Sequence, residues 1–93
     1  MNTQEFHDEL KANRFDAAVL MDRPVGYAIG VHQHPFDACA FVTAGDITLV
    51  VGGVSSRYGV GDVFRLPAGT PHLEAAGPQG VSYLSGRRQI TPA

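Results

Sequence analysis

Two imidazoles stand two residues apart in His32-Gln33-His34, and a third, His72, follows the proline-framed corner Pro67-Ala68-Gly69-Thr70-Pro71. In an extended strand alternate side chains share a face, so the spacing predicts that His32 and His34 project together, with Ala38, Ala40 and Val42 on the same apolar side. A buried neutral imidazole needs both a donor and an acceptor satisfied, and backbone groups serve two adjacent rings poorly. A shared divalent transition metal resolves the difficulty, since imidazole is a good ligand for several such ions; Fe, Ni, Zn and Mn are not distinguished by the residues alone. The competing expectation is that the rings are simply hydrogen-bonded in or near a core. Glu74 shares a strand face with His72 and is either a group acting behind the histidines, an acid or base, or a solvated carboxylate. Alternation aims Cys39 away from the histidines, as a packed and inert thiol, and Asp37 toward a bend or solvent. Tyr27, Phe36, Phe64 and Tyr83 are candidates for a pocket wall or for core filling, and His7 for the surface.

Strands must position these side chains, and the sequence is written in short runs of Val, Ile, Leu, Phe and Tyr punctuated by Gly, Pro and Asp. The runs predict strands over 17–22, 26–34, 38–44, 46–52, 62–66, 71–76 and 80–86. Gly45-Asp46 and Gly52-Gly53 supply the positive φ angles that tight hairpins demand, and Gly59–Asp62 and Pro67–Pro71 supply further turns. Before the strands lies one helix over 3–13, capped by Asn2 or Thr3, with Phe6 and Leu10 one turn apart for docking. The fold class is therefore all-β, a small barrel or sandwich with a short N-terminal helix.

The order of these residues resembles the cupin superfamily. Gly26, His32, His34 and Gly45 match its first motif, and Gly61, Pro67, Gly69 and His72 match its second, so the resemblance runs over residues 26–76. It implies a cupin-type double-stranded β-helix, or jelly-roll barrel, a metal held by His32, His34 and His72, and a homodimer. On this basis residues 1–15 form the helix and lead-in, and residues 16–93 a single barrel domain. Two positions depart from the pattern: Ala38 stands where cupins carry a metal-binding glutamate, and Ala76 where the second motif ends in asparagine. Three neutral imidazoles would leave a divalent ion its full double charge and open coordination positions, which favours an anionic small-molecule ligand. Tyr27, Phe36 and Tyr83 would line its pocket. The resemblance extends to Fe(II) dioxygenases and other small-molecule metalloenzymes that use three histidines, while a degenerate barrel without metal is the third possibility.

Composition narrows the partners. The chain has 93 residues, of which 44% are hydrophobic and 17% charged, and it carries a formal net charge of -2. That balance suits a folded domain and offers no broad basic surface for nucleic acid, Arg87-Arg88 being too short a patch. A chain of this length buries only roughly 60 to 65 per cent of its surface on folding, which leaves area for a second copy. No apolar run is long enough to cross a membrane, and the lone Cys39 permits no internal disulfide, so cytoplasm is the expected location.

Overall fold

Asn2 opens the helix by closing a reciprocal cap. In the computed structural model, which describes residues 1–90, its side chain accepts a hydrogen bond from the Glu5 amide (2.8 Å), and its own amide donates to the Glu5 carboxylate (3.0 Å). The helix, α1, runs over Thr3–Ala12, one residue shorter than the spacing predicts, because Asn13 ends it as the C-cap. Phe6 and Leu10 are buried, and they pack with Cys39 and Phe41 on the outer wall of the strands. The Phe6 and Phe41 rings stack at 5.4 Å.

Six antiparallel strands follow: β1 (Val19–Arg23), β2 (Ala28–His32), β3 (Phe36–Val51), β4 (Val54–Gly59), β5 (Val63–Leu66) and β6 (His72–Gln89). The long β3 and β6 pair with each other, β1 and β2 add to β6, and β4 and β5 add to β3. This is the jelly-roll barrel. Its interior is filled by Val42, Ile47, Leu49, Phe64, Val81 and Tyr83, so Phe64 serves chiefly as core, packed against Tyr58 and Tyr83. The terminal residues 91–93 of the expected barrel domain lie outside the described ones.

The expected strands 38–44 and 46–52 are one strand, as are 71–76 and 80–86, and β4 has no counterpart among the expected elements. Gly52-Gly53 makes the anticipated tight hairpin, with φ of 56° and 79° between the paired Val51 and Val54. Gly45-Asp46 does not. There the pairing of β3 with β6 continues through register shifts on either side of Ala44-Gly45. Gly45 uses its positive φ of 68° inside this bulge, where a β-carbon would collide with the Gly80 carbonyl. A glycine that reads as a turn is a bend in a continuous strand. β4 escapes prediction because its residues Val54-Ser55-Ser56-Arg57 are mostly exposed and polar.

Candidate metal centre

His32 and His72 are direct cross-strand partners, their rings 4.2 Å apart between centroids. A bulge makes this possible. Ile29 pairs with Glu74 and His32 with His72, so β2 spends three residues where β6 spends two, and the inward face passes from Tyr27 and Ile29 to His32 while Val31 turns out to solvent. β2 ends at His32, so His34 is not aligned by strand alternation as the spacing predicts. It reaches the cluster from the following loop, with ring centroids 5.1 Å from His32 and 5.0 Å from His72. One potential ligand atom from each of the three lies within 4.8 Å of the others.

Each ring has a specific restraint. His72 is 1% exposed, and its Nδ1 donates to the Thr70 carbonyl at 2.9 Å. His32 Nδ1 likewise donates to the Gly30 carbonyl at 2.8 Å. A carbonyl accepts only, so in the neutral form of both rings Nδ1 carries the proton and the free lone pair lies on Nε2. His72 Nε2 is buried with no hydrogen-bond partner among the described residues. His34 stacks on Phe36 at 4.8 Å, and its carbonyl accepts from the Gly69 amide at 2.9 Å. Burial, reinforced by His72 and His32, holds the His34 imidazole below its usual pKa, so it favours the neutral, ligating form.

Asp37 ties the two halves of the cluster together, which corrects its assignment to a bend or to solvent. One carboxylate oxygen accepts from the Ala68 amide at 2.8 Å, in the turn that leads to His72, and the other accepts from Arg88 at 2.8 Å. These bonds hold the Asp37 carboxyl below the ordinary carboxylate range, the Ala68 amide contributing most. Glu74 is also corrected in part. It is 8% exposed rather than solvated, and it accepts a hydrogen bond from the Tyr27 hydroxyl at 2.6 Å. Burial and that bond raise the Tyr27 pKa.

His32 and His34 open onto a cavity of about 200 Å³ whose wall includes Tyr27, Phe36, Ala38, Glu74 and Tyr83. Arg23 and Arg87 also line the cavity and were not singled out from sequence for this role, although alternation from Met21 and from Tyr83 turns both inward. Cys39 faces the opposite side, beneath α1, where burial pushes its thiol up to about 11 and leaves it a poor ligand and nucleophile. A separate cleft of about 280 Å³ between α1 and the barrel, bordered by Glu9, Cys39 and Arg65, contains no histidine.

A family model for the cupin domain matches residues 19–85, most of the chain. The chain belongs to the cupin family. Among solved structures, this cupin is similar to a conserved protein of unknown function from Streptococcus pyogenes, with a TM-score of 0.70 and 23% identity, over 81% of this chain and 65% of that one. It is also similar to KdgF from a Halomonas species (TM-score 0.65, 25% identity, covering 78% and 68% of the two chains) and to the DMSP lyase DddQ from Ruegeria pomeroyi (TM-score 0.71, 27% identity). The lyase alignment covers 84% of this cupin but 41% of the lyase, so the chain spans less than two thirds of either the streptococcal protein or the lyase. No curated protein matches the cupin in sequence. Among its described residues no helix is long and apolar enough to cross a membrane.

Proposed function

We propose that this cupin uses His32, His34 and His72 to hold one divalent transition-metal ion, and that the adjoining cavity binds a small anionic molecule. The observation that carries the proposal is His72 Nε2, a buried nitrogen without a partner among the described residues, on a ring whose other nitrogen is already fixed. Leaving such an atom unsatisfied costs about 1 to 3 kcal/mol, a cost that ligation removes. The donor set fits a metal: two Nδ1 protons are pinned by carbonyls, and the third ring is biased toward its neutral form. A bound ion would supply Lewis-acid or redox chemistry. With Ala38 in place of a carboxylate, its charge would not be reduced by a protein ligand, which favours an anion beside it.

Zinc binding by the purified chain tests this directly. One ion per chain after dialysis is the expected result, with His34→Ala and His72→Ala each losing it. Substoichiometric zinc in the unaltered protein would overturn the proposal.

Enzymatic turnover of the bound molecule is a second reading, favoured by the Tyr27–Glu74 hydrogen bond inside the same cavity and by similarity to a protein described as a lyase. The Tyr27 hydroxyl donates to Glu74 Oε1, which sets a phenolic acid and a carboxylate base side by side for proton exchange with a molecule in the cavity. We also propose a homodimer. Val19, Leu20, Val25 and Val31, on β1, β2 and the loop that joins them, are exposed apolar side chains that a second copy would cover.

A further inference from the structure

Two arginines share the cavity with the histidines, and metal binding accounts for neither. Arg23 ends β1, where Met21 pairs with Tyr83 and Arg23 with Val81. Its guanidinium lies 5.0 Å from the centre of the Tyr27 ring and beside the Tyr83 hydroxyl. Its Nε is buried with no hydrogen-bond partner among the described residues. Arg87 stands at the exposed rim, its guanidinium 4.4 Å from the centre of the Phe36 ring that also stacks on His34. Arg57, Arg65 and Arg88 each pair with a carboxylate, whereas neither Arg23 nor Arg87 forms an ion pair among the described residues. Two guanidinium groups therefore face one cavity with only Glu74 to oppose them, and one of them keeps a buried donor unmet.

We infer that the cavity selects a compact carboxylic acid, bound as its carboxylate by Arg23 and drawn in past Arg87. A carboxylate presents two coplanar acceptors, which match the flat fork of a guanidinium. A phosphate group brings a larger charge and three acceptor oxygens. Its usual cradle is a helix N-terminus, and here α1 packs on the outer wall while strands and their connecting loops line the cavity. Beside Arg23 the wall also carries Glu74, whose charge opposes a second anionic oxygen, and the apolar Met21, Ile29 and Leu66, which suit a hydrocarbon body. The cavity, about 200 Å³, is smaller than the roughly 300 to 1,000 Å³ typical of pockets for drug-sized ligands, so the acid is small. Aromatic faces at Tyr27 and Phe36 keep the two guanidinium groups in place without consuming their hydrogen-bond donors. The inference rests on the barrel interior being the ligand site proposed above, but not on the presence of the metal.

The test is calorimetric titration of the full chain, metal-free and zinc-loaded, with acetate, butyrate, hexanoate, butyramide and inorganic phosphate. At least one monocarboxylate should bind more tightly than phosphate, and butyramide should not bind. Arg23→Met should weaken the monocarboxylate at least about tenfold in both metal states, as expected for lost charge-assisted hydrogen bonds. Lys11→Met, which removes an equal charge from α1, should leave it unchanged. If circular dichroism shows that Arg23→Met is unfolded, Arg23→Lys replaces it; keeping the charge without the fork should still weaken binding several-fold. The inference is overturned if no monocarboxylate binds the unaltered protein, if butyramide binds equally, if phosphate binds more tightly, or if a folded Arg23 variant binds as well as the original. Carboxylate binding that depends on Arg23 in a protein that takes up no zinc would sink the metal proposal alone. Zinc uptake with carboxylate binding indifferent to Arg23 would sink this one alone.

Discussion

The imidazole of His72 is held from behind by the Thr70 carbonyl and reaches forward with a nitrogen that no described protein group meets. Asp37 supports that ring from further back: its bond to the Ala68 amide ties down the turn before His72, and its pair with Arg88 fixes Asp37 itself. Asp37 also carries a pH dependence. Its folded pKa is depressed, so its contribution to stability is full above the unfolded value near 3.9 and is lost as pH falls through the lower folded value. Asp37→Asn should therefore melt at a lower temperature than the original protein near neutrality, and the difference should close as the pH is taken below about 4. Thermal unfolding across that range checks this; a difference independent of pH would show that the carboxylate's charge is irrelevant. At this scale the sequence was informative about residue type and less so about contact. The inert Cys39 was legible from parity and the three histidines from their places in the two motifs, whereas the role of Asp37 depends on a turn some thirty residues away in sequence, which no local pattern reports.

At the scale of elements, bulges decide which side chains face inward. Without the extra residue in β2, strict alternation from Tyr27 and Ile29 would turn Val31 into the barrel and His32 out of it. The same device at Ala44-Gly45 bends β3 so that one strand spans the barrel where two were expected. Glycine there signals positive φ in either case, and only the partner strand distinguishes a bend from a hairpin. Gly45→Ala should cost more than about 1 kcal/mol, since it places a β-carbon at φ 68° and against the Gly80 carbonyl. Denaturant unfolding measures this, and an unchanged midpoint would contradict the bend as described. The capped helix and the Gly52-Gly53 hairpin were legible because their signals are local. The edge strand β4 was not, because it has little apolar face to reveal it.

The whole molecule is a barrel closed by two long antiparallel strands, with one core inside and a second beneath α1. The two motifs lie far apart in sequence and meet because β2 pairs with the start of β6. That meeting was accessible from sequence only through family resemblance, since pairing between distant strands leaves no periodic trace. The exposed Val19, Leu20, Val25 and Val31 belong to this scale as well. Light scattering should give twice the chain mass, and a monomer across the working concentration range would contradict the proposed dimer. If His32, His34 and His72 form one metal centre, as proposed, anomalous diffraction from zinc-soaked crystals should show a single strong peak bonded to all three rings. A peak elsewhere, or an empty cluster with the rings turned apart, would contradict the proposal.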